Sequence, residues 1–242
     1  MKSFTFIIIS LGSGALAGLI LAGMNMLVVE PLIDKAIDME TAKAVTLGEN
    51  TDTGEQYSYR IWQKSGSFVA GSILGMAFGS LLGIVYMFSR KAMPFSSDRK
   101  KAVFLSLVMC LVLFVIPFLK YPGNPPAVGN PDTIWLRENL YIGFLAISAL
   151  SALFLGMLSY NFRYIPKVSI LLVPLAYVAI ISAAFVLFPS NPDKVSIPLD
   201  LVNSFRIMSG LTMVIFWLSL GVIFGVLWYK FKPHDSSKIT AT

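Results

Sequence analysis

Residues 66–88 read GSFVAGSILGMAFGSLLGIVYMF, twenty-three positions without one charged side chain. A helix at the surface of a water-soluble protein carries a polar face, and this stretch has none. At ~1.5 Å per residue it covers the ~30 Å hydrocarbon core of a bilayer. Within it Ser67, Gly71, Gly75, Gly79 and Gly83 recur at every fourth position and so share one helix face. Hydrophobic burial gives two helices in lipid no reason to associate, so a groove of small residues that admits a neighbouring backbone is the expected packing device. The stretch reads as a transmembrane helix pressed closely against another.

The rest of the chain agrees. Of 242 residues, 56% are apolar and 13% charged, about half the roughly 25% charged fraction of a soluble domain. The mean hydropathy is +0.74. This composition excludes a cytosolic enzyme, a disordered or fibrous chain and, despite a pI of 9.4, a nucleic-acid-binding domain. One cysteine, Cys110, inside an apolar run excludes a disulfide framework and a Cys-based zinc site, and the one histidine, His234, removes the usual first-row metal ligand. The expectation is an all-α integral membrane protein, a single membrane domain over 1–242. Its bundle has about six transmembrane helices, or five if one run is re-entrant, with glycine-mediated packing.

The six apolar runs are about 4–29, 66–88, 102–119, 139–160, 166–188 and 208–229, leaving outer loops 30–65, 120–138 and 189–207. The first run follows Lys2 but is longer than a signal-peptide core, so it reads as a permanent helix. It repeats the small-residue device at Ser10, Gly14, Gly18 and Ala22, and the last run carries Gly221 and Gly225. The first two runs should therefore pack face to face. Trp62, Tyr121, Trp135, Tyr141, Trp228 and Tyr229 fall near run ends, the place of an interfacial aromatic belt.

Loop charges orient the bundle. With six spans, one side collects Lys2, the 89–101 loop, Arg163, Lys167 and the C-terminal tail, eleven of the nineteen basic residues. The other side collects eleven of the thirteen acidic residues, leaving only Asp98 and Asp235 opposite. Both termini are expected to be cytoplasmic, with an acidic outer face that would raise the local concentration of cations.

No P-loop, nucleophile elbow, zinc-protease pattern or dinucleotide fingerprint is present, so no enzymatic chemistry is expected. Two outer segments stand out. In Glu30-Pro-Leu-Ile-Asp-Lys-Ala-Ile-Asp-Met-Glu40, Pro31 suits the first turn of a helix, and Leu32, Ile33, Ala36 and Ile37 form an apolar stripe. Glu30, Asp34 and Asp38 then share a row, where like charges four apart repel. A divalent cation on their carboxylate oxygens would offset that. Alternatively Lys35 pairs with Asp38 and Lys43 with Glu40 on a solvated face. In the second segment, 119–133, four prolines within ten residues stiffen the backbone, and Asn124, Asn130 and Asp132 offer side-chain oxygens. Either this loop dips back to form a pore mouth or it is a rigid connector, with Asp132 or Thr133 capping the next helix. In the first span Asn25 is the one amide, flanked by Met24 and Met26; such a group more often bonds to a neighbouring helix than to an ion.

Three stretches together resemble the CbtA family: EPLIDKAIDMETAK from residue 30, Arg60-x-x-Gln63-x-x-Gly66, and FLKYPGNPPAVGNPDTIWLRENLY from residue 118. The similarity runs from the first span to about residue 160 and is most specific in the Pro/Gly/Asn stretch. The resemblance implies the membrane subunit of a cobalt transporter, with Co²⁺ as the transported ion, no resident cofactor, and a small one-span partner subunit with a His-rich tail. It also implies five spans. Relatives carry histidines in the first outer loop; residues 30–65 here contain none. Carboxylates and amides alone favour hard ions and do not select cobalt over magnesium or manganese.

The leading expectation is therefore a divalent-cation (cobalt) uptake permease subunit in the cell membrane, in contact with membrane lipids and no nucleic acid. Its outer metal site would comprise Glu30, Asp34, Asp38, Asn124, Asn130 and Asp132. The alternative is a non-transporting scaffold or assembly subunit of a membrane complex.

Overall fold

The computed structural model describes residues 3–48, 53–161, 166–193 and 195–233, with no β-strand among them. Lys2, Glu49, Asp52, Arg163, Lys194, His234, Asp235 and Lys238, and the side chain of Lys167, lie outside the described residues. The chain forms α1 (Ser3–Val28), α2 (Glu30–Thr46), α3 (Thr53–Ser89), α4 (Asp98–Cys110), α5 (Ile116–Lys120), α6 (Ile134–Asn161), α7 (Pro166–Leu187) and α8 (Leu199–Phe231). A π-helical turn, Leu111–Val115, joins α4 to α5, and a 3₁₀ turn, Pro131–Thr133, leads into α6.

Five helical stretches are long and apolar enough to cross a membrane: Ser3–Val28, Tyr57–Ser89, Asp98–Lys120, Pro131–Ser159 and Leu199–Phe231. The sixth apolar run forms α7, whose Leu171–Leu187 part is apolar but shorter. The contacts at the two ends of the bundle account for it. Phe6, Tyr86, Asp98 and Trp228 meet at one end, where α1 and α4 begin and α3 and α8 finish. At the opposite end Glu30 and Asp34 meet Arg60, Lys120 donates to the carbonyl of Phe185, and Asn124 meets Arg206. Within the described residues α1 begins and α8 finishes at the same end of the bundle, and α7 is the helix that returns from that end to the other. The end that holds α2 carries most of the carboxylates and is called the acidic end below; Asp98 sits at the basic end.

Two segments between the apolar runs are helical, the first as Pro31 and its stripe led one to expect. Residues 30–46 fold as α2, entered through Pro31, with Ala36 of the apolar stripe fully buried. Residues 53–65 extend α3, a 37-residue helix of ~55 Å, too long to lie wholly within the hydrocarbon. Likewise α8 begins at Leu199, nine residues before the run expected from hydropathy.

The small-residue grooves meet as expected. A side-chain carbon on Gly14 would overlap the Gly75 carbonyl, one on Gly18 the Gly71 carbonyl, and one on Gly79 the Ser10 carbonyl. Each step of four down α1 is matched by four up α3, so the helices are antiparallel and in backbone contact. On the other side Gly221 and Gly225 of α8 admit α4: added carbons would stand 2.7 Å from Ser106 Cβ and 3.0 Å from Ala102 Cβ. Ser106 donates to the Trp217 carbonyl at 2.5 Å. Around these seams α1, α3, α4 and α8 bury Tyr86, Phe216, Trp217, Phe224 and Trp228.

Trp228 does not belong to an interfacial belt. It is 1% exposed, stacked on Phe224 and edge-on to Tyr86 and Phe6, whereas Trp62 and Trp135 are 70% and 77% exposed. The reason is register: Trp228 follows Gly221 by seven residues and shares its inward face.

The α6–α7 hairpin flanks this four-helix core and is keyed to it through the π turn. Ile116 N–H bonds to Leu111 O, five residues back. The corresponding partner for Val112 O would be Pro117, which has no N–H. That orphaned carbonyl accepts from Ser148 Oγ of α6 at 2.6 Å. Ser148 has one proton to give, so Tyr177 of α7, 2.7 Å away, is the donor to it. Three helices are joined by this chain of hydroxyls at mid-bundle depth, where no water competes.

Candidate functional site

At the acidic end, α2 presents Glu30 and Asp34 one turn apart, and α3 presents Arg60 and Lys64 one turn apart. Arg60 Nη2 reaches Glu30 Oε2 at 2.5 Å and Asp34 Oδ1 at 2.8 Å, while Lys64 Nζ reaches Asp34 Oδ2 at 2.6 Å. Arg60 Nη1 also donates to Gln63 Oε1 at 2.8 Å. Burial alone would push the Asp34 carboxyl up; hydrogen bonds from Lys64 and Arg60, with their positive charge, outweigh it and hold Asp34 below the usual aspartate range. The repulsion along the carboxylate row is thus relieved by α3, not by Lys35 or Lys43. Asp38 is exposed and takes no part. Arg60 and Lys64 escaped the assignment of site residues. Their spacing of four, equal to that of Glu30 and Asp34, is the signal that pairs the two helices.

The proline-rich segment forms a second polar knot at the same end. Asn124 Oδ1 accepts from Arg206 Nε at 3.2 Å and Nη2 at 2.6 Å. Asn130 Oδ1 accepts from the Asp132 N–H at 3.0 Å, so Asn130, not Asp132 or Thr133, caps the turn into α6. Asp132 is exposed. The segment is stitched to residues 188–206: Tyr121 Oη donates to Pro189 O, Ser196 Oγ to Ala127 O, and Thr133 Oγ1 to Asp193 Oδ1 at 2.8 Å. Burial pushes the Tyr121 phenol up, keeping it a neutral donor. Arg137 Nε lies 2.9 Å from Asp193 Oδ2, an ion pair whose N–H does not point at the oxygen. Gly129 has φ +114°, a backbone that demands glycine, and a side-chain carbon there would also push on the Arg137 guanidinium, 2.6 Å from Nη1. Arg137, Asp193 and Arg206 have no local sequence signal, because each meets its partner only when the ends of α5, α6, α7 and α8 converge.

The six expected metal ligands therefore fall into separate settings. Glu30 and Asp34 share one ion-pair cluster, Asn124 serves Arg206, Asn130 caps a turn, and Asp38 and Asp132 face outward. Among the described residues no group of three or more His, Cys, Asp or Glu side chains is placed to hold a metal ion. In α1, Asn25 Oδ1 is buried without a hydrogen-bond partner, so the expected bond to a neighbouring helix is not made.

A family model described as probable cobalt transporter subunit (CbtA) matches residues 4–229. The chain belongs to the CbtA family. The match runs from α1 through α7 and extends past residue 160 to Tyr229, near the end of α8. No curated protein and no solved structure matches. In this CbtA chain the most distinctive sequence, residues 118–141, builds the knot at the acidic end. Membership and the apolar helices make it a multi-pass membrane protein of a family described as probable cobalt transporter subunits.

Proposed function

We propose that this chain is the membrane-spanning subunit of a cobalt uptake system, with its acidic end facing out of the cell. The observation that carries the reading is the family match over the whole helical bundle. Glu30 and Asp34 are the carboxylates an arriving divalent cation would meet, in competition with Arg60 and Lys64. The chain holds one histidine and one buried cysteine, so ligands soft enough to prefer cobalt over magnesium come from a partner subunit, for which a short one-span protein with a His-rich tail is suited. Expressed with that partner in cells lacking their own cobalt uptake, the chain should raise accumulation of radiolabelled Co²⁺ severalfold. Unchanged accumulation in cells that insert it normally would overturn the reading.

A second reading, an assembly subunit that organises a conducting partner, is favoured by one feature: the carboxylate pair is already neutralised from within. Liposomes holding the purified chain alone separate the two. Co²⁺ flux assigns conduction to this chain; inert vesicles that become permeable only with the partner assign it assembly.

A further inference from the structure

The knot at the acidic end borders a half-open cavity of about 310 Å³, lined by Tyr121 and Asn124 of the proline-rich segment, Arg137, Glu138 and Tyr141 of α6, and Arg206 of α8. Its charges are matched unevenly. Arg137 has a carboxylate partner in Asp193, whose side chain is 4% exposed. Arg206 does not: two of its nitrogens converge on the neutral oxygen of Asn124, and no carboxylate of the described residues lies in ion-pair range. Glu138, on the same lining, likewise has no ion partner among them. A half-buried guanidinium with only an amide to bond leaves strong donors for a planar anion. Glu138, exposed on the same lining, offers a carboxylate to a positive group. Tyr121 and Tyr141 add ring surface to the lining, giving the mixture of apolar surface and a few polar groups found in small-molecule sites.

We propose that this cavity binds a small amino carboxylate, its carboxylate forked onto Arg206 and its amine, or a divalent cation held by that amine, toward Glu138. The volume suits an occupant about the size of a single amino acid. The site goes beyond the uptake reading and does not depend on it, since the uptake test uses the bare ion.

The test is isothermal titration of the purified full-length chain in detergent with three probes: L-histidine, the Co²⁺–histidine complex, and Co²⁺ alone. Saturable binding of histidine identifies the free amino carboxylate as occupant, and binding of the complex alone identifies the chelate. In either case Arg206→Gln and Glu138→Gln should each weaken binding by about tenfold or more. Glu138 is exposed and its glutamine variant leaves the packing intact, which keeps the test open if Arg206→Gln fails to fold. Binding of neither histidine form, equal binding of Co²⁺ alone, or unchanged affinity in the Glu138 variant would overturn the proposal.

Discussion

The α1–α3 seam supports a prediction with a built-in control. Adding one methyl group at Gly14 places carbon over the Gly75 carbonyl, 2.6 Å from its carbon and 2.9 Å from Met76 Cα, where ordinary contact begins at 3.4 Å. The obstruction is backbone, so no rotamer change relieves it; α1 must move from α3 by about 1 Å, which forfeits a quarter to a half of the dispersion attraction across the seam. Overpacking of this kind costs about 1–3 kcal/mol, less the ~0.5–1 kcal/mol that alanine gains over glycine inside a helix. Gly12, on the same helix, has no atom within 4 Å of its added carbon and receives only that gain. Unfolding of both variants in mixed detergent micelles should place Gly14→Ala about 0–2.5 kcal/mol below wild type and Gly12→Ala at or above it, so that the two differ by about 1–3 kcal/mol. Gly75→Ala should behave like Gly14→Ala. Equal stability of the Gly12 and Gly14 variants would refute close backbone contact as the basis of the seam.

Two further outcomes follow from the polar contacts. Ser148→Ala leaves Val112 O with no donor and Tyr177 with no acceptor, and should cost about 0.6–1.7 kcal/mol in the same unfolding assay; Tyr177→Phe keeps the Ser148–Val112 bond and should cost less. At the acidic end, Asp34 has its carboxyl held below the reference value of 3.8. A depressed carboxylate contributes stability that is complete above its unfolded value and is lost as pH falls through its folded value. The wild type should therefore lose stability below pH 3.8 more steeply than Asp34→Asn, and identical acid limbs would remove the Asp34 linkage to Arg60 and Lys64.

Much of this architecture is legible residue by residue. The uncharged runs announce the membrane, because a buried charge at bilayer depth is costly whatever surrounds it. The four-residue glycine spacing announces the α1–α3 seam, because helical periodicity alone puts Gly71, Gly75 and Gly79 on one face. Pro31 and its apolar stripe announce α2. These are local properties, set by one segment and its solvent.

Electrostatic partnership is different in kind. Lys35 and Lys43 are near Asp38 and Glu40 in the chain, yet Glu30 and Asp34 find Arg60 and Lys64, because α3 runs past the hydrocarbon and lays its first turns beside α2. Asn124 and Asn130 look alike in sequence, but one meets Arg206, 82 residues away, and the other its own turn. The π turn hides a free carbonyl whose donor, Ser148, is 36 residues distant. Hydrophobicity and helical period belong to each segment before it folds. Which charge meets which, and which carbonyl is left for a hydroxyl, depend on how the helices are arranged side by side, and only the packed bundle decides that.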